Sequence, residues 1–136
     1  MEQNPFLDAV IIPIGGGGLI SGTALALKQV NPRIKIYGVE AANMPGMIVS
    51  LEQKKVVDVP FVRTLADGIA VKSVGDKPLS IIKDYVDDVV TVTENEIATA
   101  VMTLLEKEKT MTEGAGACSV AALLTEKLKL EHKKVC

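Results

Sequence analysis

Apolar residues in this chain come in short blocks whose period changes from one block to the next. Residues 8–14, Asp-Ala-Val-Ile-Ile-Pro-Ile, form a nearly unbroken β-branched run, as a parallel strand covered on both faces requires. Four glycines follow. Leu19, Thr23, Ala26, Leu27 and Val30 then recur at helical spacing until Asn31-Pro32 stops the pattern. Alternation returns over 33–40, ending in Gly38-Val39-Glu40. Strand, helix, strand predicts a right-handed crossover between parallel strands, with Glu40 on the same carboxyl-end rim as the glycines.

Further along, Met44, Met47, Ile48 and Leu51 predict a short helix within 41–53, interrupted early by Pro45-Gly46. The pattern weakens over 54–72, read as a loop over the rim. A helix over 77–85 starts at Pro78, a first-turn proline. Val89-Val90-Thr91-Val92 is a third strand, and Thr93 and Glu96 stand in capping-box register at the head of a helix reaching about 107. Small residues around Thr112-Glu113-Gly114-Ala115-Gly116-Ala117 make a turn, a helix is expected from 117 to about 129, and 133–136 begins another strand. The sum is an α/β domain, a mostly parallel sheet with flanking helices in three layers.

Composition narrows the class. The chain is 48% hydrophobic but 3% aromatic, so its apolar mass is Val, Ile, Leu and Ala, and a mean hydropathy of +0.29 argues against disorder. A net charge of -2 with scattered lysines and arginines offers no basic face for nucleic acid. No run approaches the roughly 18 apolar residues of a membrane span, and Met1-Glu2-Gln3-Asn4-Pro5 is polar and acidic rather than a cationic signal. Cys118 and Cys136 have no metal-ligand spacing and form no disulfide framework, which points to reduced thiols and a cytoplasmic protein. His132 lies in a charged stretch unsuited to catalysis.

The glycines carry the chemistry. Gly15, Gly16, Gly17 and Gly18 remove every Cβ between strand and helix, so successive N–H groups can converge on a phosphate, aided by the helix start at Leu19. A flexible linker is a competing reading, but linkers are not normally wedged between an apolar strand and an apolar helix. A nucleoside-triphosphate loop fails because Thr23-Ala24 stand where Lys and Ser/Thr belong. The dinucleotide fingerprint fails in phase, with Ile20 or Ser21 where its third glycine belongs. Bunched rather than spaced glycines suggest a compact phosphomonoester.

Ile-Gly-Gly-Gly-Gly-Leu-Ile-Ser-Gly, Gly38-Val39-Glu40, Leu65-Ala66-Asp67-Gly68, Val86-Asp87-Asp88, Val92-Thr93-Glu94-Asn95-Glu96-Ile97 and Thr112-Glu113-Gly114-Ala115-Gly116-Ala117 occur in this order. The set resembles the pyridoxal-phosphate enzymes of the tryptophan-synthase-like fold, within them the catabolic threonine/serine dehydratases, with serine racemase a close cousin. The resemblance runs from about residue 7 to 130. It implies β-elimination of threonine or serine to a 2-oxo acid and ammonia, with pyridoxal 5'-phosphate as electron sink. It assigns Gly15, Gly16, Gly17, Gly18 and Leu19 to the cofactor phosphate, and Asp67, Gly68 and Glu113 to the surroundings of the cofactor ring. A second role for Glu113, a helix N-terminal acid favoured by the dipole, stays open.

The family's Ser-Phe-Lys-x-Arg-Gly segment, whose lysine carries the cofactor, and its Ser-x-Gly-Asn-His-type loop for the substrate carboxylate do not occur here. Residues 1–136 are therefore expected to be an incomplete large domain lacking the lysine-bearing half, with no catalytic residue of its own, inactive alone and a homo-oligomer when full length. The racemase cousin's divalent-metal site uses a glutamate matching Glu40 and an acid six residues on; this chain has Gly46 there, and no metal is expected. A racemase-like enzyme and a non-catalytic phosphate-binding or interaction module are the alternatives.

Overall fold

A computed structural model describes residue 4 and residues 6–136; Met1, Glu2, Gln3 and Pro5 of the polar N-terminal stretch lie outside the described residues. Three strands, β1 (Ala9–Pro13), β2 (Lys35–Ala41) and β3 (Asp88–Val92), pair in parallel in the order β1-β2-β3. Ala9 stands opposite Lys35 and Pro13 opposite Val39, while Tyr37 stands opposite Asp88 and Ala41 opposite Val92. On the free side of β1, Val135 forms a parallel bridge to Ala9, with Ile11 N donating to Cys136 O and Cys136 N to Ala9 O. The expected strand at 133–136 is present as this pairing.

Strand alternation divides the core in two. Val10, Ile12 and Ile36 join Ile14, Ile20, Ala24, Met47, Val74 and Ile82 on one face, which carries α1 (Gly18–Val30), α2 (Gly46–Gln53) and α3 (Asp76–Tyr85). Ile11, Val39, Ala41 and Val92 join Ile97, Ala100, Ala117, Cys118, Ala121 and Ala122 on the other, under α4 (Glu94–Glu108) and α5 (Gly114–Leu124). The result is the expected three-layer arrangement, because both faces of a parallel sheet must be covered.

Two local expectations shift. In α1 the buried positions are Ile20, Ser21 and Ala24, whereas Leu19 and Val30 of the expected apolar stripe are exposed. Ile20 is drawn inward because Gly38 leaves a gap on β2 that the Ile14 and Ile20 side chains fill. The last helix begins at Gly114 rather than 117 and ends at Leu124 rather than near 129. Its buried residues are Ala115, Ala117, Cys118, Ala121 and Ala122, small enough for the helix to lie close on the sheet, and beyond Thr125 the chain turns through Glu126 at φ 52.

At the amino ends of the strands, Asp87 ties helix, strand and loop together. Its carboxylate accepts from Lys35 Nζ at 2.6 Å, Ile36 N at 2.9 Å and Lys28 Nζ at 3.1 Å. Burial alone would raise its pKa, but these donors outweigh it and hold the carboxyl below its usual 3.8. The stabilisation is thus fully present above about pH 4 and is lost as pH falls through the lowered value. Asp87→Asn is expected to cost roughly 1–2 kcal/mol at neutral pH, as befits a partly exposed charged acceptor, with the difference from wild type shrinking in acid; urea melts at several pH values check this.

Candidate functional site: a glycine rim facing Gly68 and Glu113

β1 carries the chain to the carboxyl-end rim, where Ile14 N still donates to Val39 O at 2.8 Å. The backbone then turns sharply. Gly17 has φ +90, a left-handed conformation that L side chains rarely adopt, and it immediately precedes α1. A Cβ there would lie 2.7 Å from both Met47 Cε and Pro78 Cβ. At Gly16 and Gly18 a Cβ would meet nothing within 4 Å. Gly17 is therefore required by the fold, while Gly16 and Gly18 keep an exposed surface bare.

The carbonyls of this turn are engaged from within. Gly75 N donates to Gly16 O at 3.0 Å, Ser21 N to Gly17 O at 3.1 Å and Ser21 Oγ to Gly18 O at 3.0 Å. Among the described residues, the N–H groups of residues 15–20 have no protein acceptor, and five of them, 15–19, precede the buried Ile20. Five consecutive donors at a helix start, without side chains over Gly16 and Gly18, form a cradle for a tetrahedral anion.

Two further segments adjoin it. Asp67 and Gly68 lie in a one-turn 3-10 helix, Asp67–Ile69, whose Ile69 Cα is 3.3 Å from the Cβ position of Gly15. A Cβ on Gly68 would fall 3.2 Å from Ala115 Cβ and 3.7 Å from Glu113 Oε1. Gly114 sits so tightly on the Leu65 carbonyl that a Cβ there would collide with it. The structure thus brings Gly15, Gly68 and Glu113 into one contiguous row. Asp67 Oδ1 accepts from Gly68 N at 2.9 Å and stiffens that turn. Leu19, 70% exposed, stands on the outer side of the cradle. Glu113 is the N-cap residue of α5, but its side chain makes no capping hydrogen bond, so its carboxylate is not committed to the helix.

Other residues support the row without having been singled out for it in the sequence. Glu94, expected only to help start its helix, accepts from Leu65 N at 2.6 Å through Oε2, while its buried Oε1 has no partner among the described residues. Leu65 is thereby held at its N–H by Glu94 and pressed at its carbonyl by Gly114. A cavity of about 440 Å3 opens beside this segment, lined by Phe61, Arg63, Thr64, Leu65, Asp67, Ala70 and Glu94. Spacing gives no hint of the Glu94–Leu65 bond, since 29 residues separate the partners.

Glu40, 1% exposed, accepts from Met47 N at 2.7 Å and Ile48 N at 2.9 Å, one amide to each oxygen. Burial raises its pKa from 4.5 to about 7, against the lowering effect of the two amides. Cys118 is equally unsuited to ionise: burial first, then the charge of Glu94, pushes its thiol up to about 11. It is not a nucleophile at neutral pH. Lys28 and Lys35 are engaged with Asp87 at the amino ends of the strands, the rim opposite the glycines.

A family model described as pyridoxal-phosphate dependent enzyme matches residues 1–136. The chain is 50% identical over 135 residues to an L-threonine ammonia-lyase of Thermotoga maritima, covering 99% of this chain and 33% of the relative. It is 44% identical over 128 residues to the catabolic L-threonine dehydratase TdcB of Escherichia coli K12, covering 94% of this chain and 39% of that protein. A solved serine racemase from maize superposes with a TM-score of 0.90 at 36% identity, over 98% of this chain and 42% of that one. The chain thus spans between a third and two fifths of the length of these curated relatives.

Two outcomes follow from this geometry. Gly17→Ala is expected to lose roughly 3 kcal/mol, from left-handed strain plus the contact with Met47 and Pro78, while Gly16→Ala stays within about 1 kcal/mol of wild type in the same denaturation experiment. Glu40 sets a pH dependence opposite in sign to that of Asp87. Between about pH 4.5 and 7 the unfolded chain releases this proton while the fold retains it. Its contribution is fully present below the lower value and is lost as pH rises through the upper one, up to roughly 3 kcal/mol. Glu40→Gln should flatten that slope in melts recorded across the same range.

Proposed function

The chain belongs to the pyridoxal-phosphate dependent enzyme family, and on that premise we propose that it is the cofactor-phosphate portion of the large domain of a threonine/serine ammonia-lyase. The observation that carries this reading is the run of five N–H groups at residues 15–19, all without protein acceptors, on a strand-to-helix turn. Gly15, Gly16, Gly17, Gly18 and Leu19 hold the phosphate of pyridoxal 5'-phosphate through main-chain donors and the positive end of α1. Gly68 offers a flat surface beside the ring, Asp67 fixes the turn that presents it, and the uncommitted carboxylate of Glu113 borders the same space.

When bound, the coenzyme supplies the electron sink that lets threonine or serine lose its α-proton and β-hydroxyl, giving a 2-oxo acid and ammonia. The protein's share in this portion is orientation. Main-chain donors fix the phosphate end without adding a side-chain acid or base that would compete for protons, and the glycine-lined surface admits a planar ring. The lysine that carries the coenzyme belongs to another portion of the enzyme, since no Ser-Phe-Lys-x-Arg-Gly segment occurs in these residues. We place the whole enzyme in the cytoplasm as a homo-oligomer acting on a small amino acid; the two free thiols, Cys118 and Cys136, suit a reducing compartment.

Racemisation is the second reading, favoured by the likeness to the maize serine racemase. The same cradle serves either reaction. Product analysis on the enzyme including its lysine-bearing portion separates them, with 2-oxobutyrate from threonine expected.

For the chain itself, titration with pyridoxal 5'-phosphate followed by absorbance is expected to show saturable, reversible binding that inorganic phosphate displaces. Gly16→Val should weaken it roughly tenfold or more by shielding neighbouring donors, at unchanged melting temperature. No sustained 2-oxobutyrate should form from threonine. A borohydride-reducible adduct on a single lysine together with turnover would overturn the assignment of the anchoring lysine elsewhere.

A further inference from the structure

Among the described residues, Glu40 is the one charged side chain that is fully buried, and its position links the sheet to the cradle. It lies one residue before the end of β2, and its two oxygens take the amides of the second and third residues of α2. Those amides are among the unpaired donors of a helix start, which a local N-cap side chain ordinarily satisfies. Here the N-cap residue is Pro45, which has no side-chain acceptor. The cap is supplied from the strand instead, so the first turn of α2 is pinned to the rim of β2.

What that turn holds is the back of the glycine loop. Met47, fully buried, places its Cε 2.7 Å from the Cβ position of Gly17, where Pro78 and Ile82 of α3 also press. Gly75 N meanwhile holds Gly16 O. The first turn of α2 thus packs through Met47 on the left-handed residue at the centre of the donor run. Burying a carboxylate against neutral amides, with no cation among its hydrogen-bond partners, is a costly way to cap an eight-residue helix. A cap of this cost is reasonable where the position of the helix matters more than its stability.

We propose that Glu40 is a positioning residue for phosphate recognition: by holding the first turn of α2 on the rim of β2 it sets Met47 against Gly17 and fixes the shape of the donor loop at residues 15–19. This rests on the reading of that loop as the phosphate site. A purely structural cap predicts that stability and affinity fall together. A positioning role predicts that they part, because glutamine fills the same volume without the buried charge, yet accepts only one of the two amides.

The test is calorimetric titration of the chain with inorganic phosphate and with pyridoxal 5'-phosphate at about pH 8, for wild type, Glu40→Gln, Met47→Ala and the double variant, each melted in parallel. Glu40→Gln should melt near wild type yet bind both ligands about tenfold more weakly, the fraction of a charge-assisted hydrogen bond that reaches the loop. In the Met47→Ala background the same change should have almost no further effect. Wild-type affinity in a folded Glu40→Gln protein, or fully additive losses in the double variant, overturns the proposal. Should Glu40→Gln fail to melt cooperatively, Met47→Ala decides alone: a loss near tenfold supports it and unchanged affinity overturns it. Failure of wild type to bind either ligand instead removes the phosphate-site reading itself, and this inference with it.

Discussion

Five neighbouring backbone N–H groups without protein acceptors are the constraint around which this structure is arranged. Buried unpaired amides cost free energy, so such a run can persist only at a surface, where water or an anion completes it. The chain keeps it there by making the opposite side of the same turn as rigid as possible. The carbonyls of Gly16, Gly17 and Gly18 are each engaged, Gly17 is wedged between α2 and α3, and Gly15 abuts Ile69. With three carbonyls of the turn used inward, its amides are the groups left open to a ligand.

A second arrangement depends on the first. The 3-10 turn at Asp67–Ile69 and the start of α5 can approach the cradle only where side chains are missing, and the glycines fall at those contacts: Gly15 on Ile69, Gly68 on Ala115 and Glu113, Gly114 on the Leu65 carbonyl. Bulky residues at these points would push the three segments apart. Close approach of main chain to main chain, rather than a collection of polar side chains, is therefore what sets Glu113 beside Gly68, on the turn that abuts Gly15.

Much of this was legible in the sequence where the signal is local. The capping box of Thr93 and Glu96 forms as its spacing requires, with Glu96 N donating to Thr93 Oγ1 and Thr93 N to Glu96 Oε2. The β-branched runs became parallel strands, and the glycine run became a strand-to-helix turn. Legibility ended where a tertiary neighbour decided. Helical spacing alone could not tell Leu19 from Ile20 as the inward residue, because the choice is made by a gap over Gly38 on another element. Nor could it place Glu94 on Leu65 or Glu40 on the start of α2, since a long-range cap has no sequence period. The sequence pattern places the start of α5 three residues late because Gly114 and Gly116 look like turn formers, yet their small size is what lets the helix pack where it does.

Two carboxylates show how the same chemical group is set to opposite uses. Asp87 receives two ammonium groups and one amide, and its pKa is lowered; Glu40 receives two neutral amides in a drier place, and its pKa is raised to about 7. The difference lies in the donors rather than in the acid. Ammonium groups repay the desolvation of a carboxylate with a full charge, whereas amides repay it with partial ones. Asp87 consequently strengthens the rim where the strands begin, a place with no bearing on the cradle. Glu40 weakens the fold at neutral pH in order to fix a helix at the rim where the strands end. That stability is gained at one end of the sheet and given up at the other follows from the open amides lying at only one of them.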